Sequence, residues 1–183
     1  MAIEIDSITI QKARNGDMRA VEQILEAFSQ QIYLIAYRMC GNEQDALDVG
    51  QETAVRIWRY LPDFRGDAKL STWIHRIAHN TCIDFLRKRR EDTADLDALG
   101  EIGIQPAAPV SEEPEQVLDR KETYARIDEA LLKLPEDQRA AVIQRDVIGL
   151  AYDEIAQAQD VNLNTIKSRI SRGRKNLISL LKK

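Results

Sequence analysis

Residues 64–90 read FRGDAKLSTWIHRIAHNTCIDFLRKRR, and this stretch decides the architecture. A polar turn, Phe64–Lys69, leads into a helix for which Ser71 is the expected N-cap. A Ser ahead of an apolar-periodic run can accept a backbone N–H bond. Ile74, Ile77, Ala78, Thr81 and Phe85 recur at spacings of three and four, which predicts one shared buried face. Trp73, Arg76, Asn80 and Arg87 fall on the opposite face, and the helix is expected to close with Arg87, Lys88, Arg89 and Arg90. Cations that follow phosphates, a ring that stacks on a base and an amide that reads a base edge suit single-stranded nucleic acid. The same stripe also fits a helix whose terminal cations complement its dipole, with Trp73 in the core. The rest of the chain decides between them.

A chain of 183 residues forms one or two domains, and 44% hydrophobic residues are enough for real cores. No apolar run approaches the length of a membrane span, which predicts no membrane insertion. The first residues, MAIEIDSITIQKARNGD, contain acids and no apolar core segment, so no signal peptide is expected. Cys40 and Cys82 form neither a ligand pair nor a disulfide framework, which favours a reducing cytoplasmic setting and two core thiols.

A net charge of −4 argues against a simple nucleic-acid binder, but its distribution reverses that reading. Residues 91–119 carry Glu91, Asp92, Asp95, Asp97, Glu101, Glu112, Glu113, Glu115 and Asp119 with no Lys or Arg. Residues 162–183 carry Lys167, Arg169, Arg172, Arg174, Lys175, Lys182 and Lys183 with no acid. Two basic surfaces are separated by an acidic connector.

Helices are expected at about Ser7–Asn15, at Met18–Cys40 behind the cap Asp17, and at Glu43–Leu61 after a Gly41-Asn42 turn, stopping at Pro62. Residues 93–114, with Pro106, Pro109 and Pro114, lack periodicity and read as a flexible linker. Helix resumes at Glu115–Leu134, breaks at Pro135, and continues at Glu136–Val147 before Gly149. The fold class is therefore all-α: two small helical domains, 1–92 and 115–183, joined by the linker 93–114.

The second informative stretch is LAYDEIAQAQDVNLNTIKSRISRGRKNLISLL, residues 150–181. A short helix at Tyr152–Ala158, a brief turn and a longer helix opening at Asn164, its expected N-cap, have helix-turn-helix proportions. Ile166, Ile170, Gly173, Leu177 and Leu180 lie inward. Ser168, Ser171, Arg172 and Lys175 point outward with Lys167 and Arg169 flanking, the layout of a major-groove helix. A solvated basic helix would share it.

QETAVRIWRYL, FRGDAKLSTWIHRIAHNTCIDFLRKRR and YDEIA…NTIKSRISRGRKNL, in this order and spacing, resemble bacterial RNA polymerase sigma factors of the sigma-70 superfamily, extracytoplasmic-function type. The resemblance spans nearly the whole chain except the linker. It implies that Asp48, Gln51, Glu52, Arg56 and Trp58 dock on the clamp helices of the polymerase β′ subunit, although Trp58 alone also reads as a core residue. It implies that Phe64, Arg65, Lys69, Trp73, Arg76, Asn80 and Arg87 capture an unpaired base of the −10 element. Asn164, Thr165, Lys167, Ser168, Arg169, Ser171, Arg172 and Lys175 match the helix that reads −35 duplex. The partners implied are core RNA polymerase (β′ clamp helices and β subunit), promoter DNA and an anti-sigma factor. Gly50 stands where the family usually has a larger residue, at a cost of roughly 0.5–1 kcal/mol of helix stability. Asn164 stands where a Gly commonly opens the recognition helix.

An ordinary dimeric helix-turn-helix regulator would leave residues 64–90 without a task. An enzyme is not indicated: no nucleophile–base set, phosphate-cradling loop or carboxylate dyad is visible, and no cofactor is expected. His75 and His79 stand at i and i+4 like a metal pair, but lack a third ligand and read as surface residues.

Overall fold

The computed structural model describes residues 3–94 and 114–182, and the greater part of the expected linker lies outside the described residues. The described elements are helices with short turns. Asp6 caps α1 (Ser7–Arg14), and Asp17 caps α2 (Met18–Cys40) by accepting from the backbone N–H of Arg19 and Ala20. Gly41 ends α2 in the left-handed region, φ 87°, which favours glycine, and a Cβ there would lie 2.5 Å from Leu132 Cδ1, so that side chain would have to shift. Asn42 caps α3 (Glu43–Tyr60), which passes into a 3₁₀ turn at Leu61–Asp63 containing Pro62.

The decisive helix, α4, spans Leu70–Ala94. It begins a residue before Ser71, with Trp73 N–H donating to Lys69 O, so Ser71 lies inside the helix and is not its cap. It also runs past the basic cluster to Ala94. Ile74, Ala78 and Thr81 are buried as the periodicity requires, while Ile77 and Phe85 are half-buried. Ile24, Ile57 and Ile74 are each 0% exposed and sit with Phe28 and Leu61 in one core. Burying one such side chain contributes about 1.5–3 kcal/mol.

The second unit holds α5 (Pro114–Leu132), α6 (Glu136–Val142), α7 (Tyr152–Gln159) and α8 (Leu163–Leu181). The helix expected to run α-helically to Val147 widens into a π-turn at Ile143–Val147, closed by Ile148 N–H to Ile143 O at 3.1 Å. Ile143 and Gln144 are adjacent in sequence and both buried, an arrangement the wider turn accommodates. Asn162, not Asn164, caps α8 by accepting from Thr165 N–H. Asp160 turns the chain between α7 and α8 at φ 53°. Gly173 lets α8 close on α6, since a Cβ would lie 2.7 Å from Val142 Cγ2.

The two units share a core. Ile35, Met39, Cys40, Ala46 and Cys82 of the first pack in one cluster with Leu131, Leu134, Ala140, Val142 and Ile143 of the second. Polar contacts surround it: Arg38 Nε donates to Asp128 at 3.0 Å, Arg90 Nη2 to Glu136 at 3.1 Å, and Lys69 Nζ to Glu154 at 2.9 Å. Sequence periodicity treats the units separately because their shared core joins residues distant in sequence.

Candidate nucleic-acid interface

The first face is built on the start of α4 and the turn before it. Phe64 is 7% exposed and lies in the core, so it faces inward, unlike the surface role drawn for it from sequence. It supports Trp73 from beneath, ring centroids 5.3 Å apart and planes at 50°. Trp73 is consequently half-buried, with one part of the ring left to the surface. Arg65, Lys69, Arg76, Asn80 and Arg87 are exposed. Gly66, at φ 82°, bends the turn beside them.

The histidines read as surface residues are interior. His75 is 1% exposed, its Nε2 2.9 Å from Gln31 Oε1 and its ring edge-on to Phe28. Burial pushes its pKa down to about 4. His79 is half-buried, and burial together with the nearby Arg169 cation also pushes it down to about 4. No group of three or more metal-ligating side chains occurs among the described residues.

The second face is α8. Asn164, Lys167, Ser168, Ser171, Arg172 and Lys175 are exposed, and Thr165 is half-buried beside the cap. Arg169 behaves differently. Its Nη1 donates to Gln159 Oε1 at 2.8 Å, its Nε lies 3.1 Å from Asp137, and Gln159 Nε2 donates to Gln144 Oε1 at 2.8 Å. This relay ties α8 to α6, α7 and the π-turn, so Arg169 is pinned between the helices. Arg174 is likewise committed, forked onto Asp146 with Nε to Oδ2 at 2.9 Å. Neither relay has a periodic signature in the sequence.

The third face is a groove of about 890 Å³ between α2 and α3, lined by Met18, Leu25, Tyr33, Leu47, Gly50 and Trp58 among others. Trp58 is 51% exposed, contrary to the core reading, with Met18 at 61% and Leu47 at 48%. Exposed apolar side chains grouped in this way are uncommon on the surface of a monomer. Asp48, Gln51 and Glu52 are exposed along α3, and Arg56 spans Glu52 and Asp84 at 2.8 Å each. Sequence reasoning missed Met18, Tyr33 and Leu47. An apolar Leu47 on the polar side of α3 was the available signal.

An exposed amide-and-cation stripe on one helical unit and an exposed basic helix on the other suit a DNA-binding protein. Residues 24–91 match the model of Sigma-70 region 2 and residues 124–177 that of Sigma-70, region 4. The chain is 31% identical over 172 residues to the ECF RNA polymerase sigma factor SigW of Bacillus subtilis (strain 168), covering 92% of each. It is 33% identical over 175 residues to the RNA polymerase sigma-H factor of Pseudomonas aeruginosa, covering 93% of this chain and 91% of that one. Among solved structures, the sigma factor RpoE in complex with the anti-sigma factor NepR from Bartonella quintana superposes with a TM-score of 0.71. Its sequence identity is 28%, and the match covers 88% of this chain and 96% of that chain. The chain belongs to the ECF sigma factors of the sigma-70 superfamily, and its function is promoter recognition in transcription initiation.

Proposed function

We propose that residues 1–92 form the module that docks on core RNA polymerase and captures unpaired −10 DNA, and residues 115–183 the module that reads −35 duplex. Residues 93–114 connect them. The observation that carries this reading is the division within α8. Arg169 is held against α6 and α7 by Asp137 and Gln159, and the exposed Arg174 is paired with Asp146, while Lys167, Ser168, Ser171, Arg172 and Lys175 stay exposed with no partner drawn from the scaffold. A helix that commits some cations to its own scaffold and leaves small polar and cationic groups outward is suited to base edges and phosphates.

On the first module, Asn80 offers donor and acceptor to an extruded base, Trp73 a stacking surface, and Lys69, Arg76 and Arg87 contacts to phosphate. Gln51 and Trp58 line the α2–α3 groove, which receives the β′ clamp helices, and Asp48 and Glu52 stand exposed on the same helix. Arg56, half-buried between Glu52 and Asp84, stiffens that face. The protein acts with polymerase in the cytoplasm, without catalysis of its own. An anti-sigma factor is a further partner, since a similar protein is held by one in its solved structure. Transcription by core polymerase on a promoter library, with and without the chain, tests the proposal. The chain should confer initiation at a subset of promoters sharing −35 and −10 elements, and initiation unchanged by its addition would refute it.

A further inference from the structure

Gln144 stands second in the π-turn and is 1% exposed. Its Nε2 is buried with no hydrogen-bond partner among the described residues. A Leu or Met of similar volume would avoid the cost of that stranded donor, so packing does not account for the amide. Its oxygen does. Gln144 Oε1 accepts from Gln159 Nε2 at 2.8 Å, and Gln159 Oε1 accepts from Arg169 Nη1 at 2.8 Å. A guanidinium has only donors, so Arg169 fixes the direction of both amides. Gln159 must turn its oxygen to Arg169 and its nitrogen to Gln144. Gln144 must then present its oxygen, which strands its own nitrogen.

The far end of this relay reaches the exposed side of α8. Arg169 lines an opening of about 550 Å³ with Asn164, Thr165, Ser168 and Arg172 of the same helix and Asp137 of α6. Its Nε lies 3.1 Å from Asp137 Oδ2, so the guanidinium is held at two points and retains further N–H donors. We infer that Gln144, acting through Gln159, is a positioning residue for −35 binding, which holds Arg169 as a preset contact to a backbone phosphate. The inference rests on the −35 reading proposed above and adds the buried residue that presets one of its contacts. A cation fixed in advance gives up less rotamer freedom on meeting phosphate than the exposed Lys167 or Lys175. A phosphate contact carries no base information, so the effect of Gln144 is uniform across sequences.

The test uses holoenzyme, core polymerase with the full chain, on a fluorescein-labelled duplex that carries the −35 element and stops short of the −10 element. Binding is read by anisotropy at several salt concentrations. Gln144→Met removes the acceptor at similar volume, and Gln144→Glu retains one. Gln144→Met should bind roughly fivefold more weakly on matched and mismatched −35 sequences alike, with the salt slope reduced by about 1. Gln144→Glu should bind as wild type does. In an Arg169→Ala background Gln144→Met should cost nothing further, because the two residues act as one unit. A defect of folding would add in both backgrounds. Gln159→Met breaks the middle link and should repeat both the loss and its absence beside Arg169→Ala; it carries the test if Gln144→Met does not fold. A loss undiminished by Arg169→Ala, or wild-type binding by the relay variants, overturns the positioning role alone. Wild-type holoenzyme that binds −35 variants without discrimination overturns the −35 reading and the inference with it.

Discussion

Arg139 of α6 donates Nη1 to the carbonyl of Met39 in α2 at 2.6 Å, across the junction of the two units. The side chain is buried, and its Nε has no partner among the described residues. A guanidinium taken from water for a single backbone bond is a costly fixture, and burial lowers its pKa. Arg139→Ala leaves the Met39 carbonyl unpaired, a penalty of about 1–3 kcal/mol while the junction stays closed. The mutant should therefore relieve it by separating the units. Hydrogen exchange should quicken where α2 and α6 meet while the interior of α2 near Ile24 stays protected; uniform acceleration would mean that the first unit depends on the junction to fold.

Acid should loosen the first unit through its histidines. His75 and His79 are held neutral with pKa values pushed down to about 4, whereas an unfolded histidine titrates near 6.5. Between those values the unfolded chain binds protons that the folded chain refuses, so stability is complete above about 6.5 and falls as pH drops toward 4. For His75 the loss is on the order of 2–3 kcal/mol at the acid end. Melting followed by circular dichroism from pH 7 to pH 4 should show the decline, and His75→Gln should flatten it. An unchanged slope in that mutant would contradict the account of His75.

The cations of α8 should separate into different classes. Arg172→Ala should lose roughly 1–3 kcal/mol against the correct −35 sequence and relax discrimination at one position. Lys175→Ala should weaken all duplexes about equally and reduce the salt slope. Arg169→Ala should weaken every duplex and lower the melting temperature, because it breaks the relay through Gln159 and Asp137. Binding across a set of −35 variants at several salt concentrations separates these outcomes.

Gly50 gives a test of docking that spares the fold. A Cβ built there meets nothing within 4 Å, and the residue lines the α2–α3 groove. Gly50→Leu should stabilise α3 by about 0.5–1 kcal/mol while obstructing the groove. A mutant that melts higher and binds core polymerase less tightly supports docking there; undiminished affinity removes the groove from the interface.

The helices were legible because each carries a strong local signal. Asp17 and Gly41 bound α2 at the residues expected, and the three- and four-residue spacing of Ile74, Ala78 and Thr81 identified the buried face of α4. Features that depend on distant sequence were not legible. Nothing near Cys82 announces Leu131 as its neighbour in a shared core, and the burial of His75 depends on Phe28 and Gln31 of another helix. Asn162 and Asn164 are equivalent as caps by residue type, and only the turn at Asp160 selects the first. At the surfaces, residue type gave the outward set on α8 but could not distinguish Arg169, which is pinned, from Arg172, which is exposed.

The central claim, that one chain brings both duplex reading and strand capture to polymerase, is tested most directly by permanganate footprinting of the −10 region. The comparison is core polymerase with wild-type chain against core polymerase with Asn80→Ala, on promoters differing at single −10 positions. Wild-type chain should render −10 thymines reactive. The mutant, with −35 binding intact, should lose that opening in a manner that depends on the identity of one −10 base. Wild-type opening by Asn80→Ala on every −10 variant would contradict the assignment of this face.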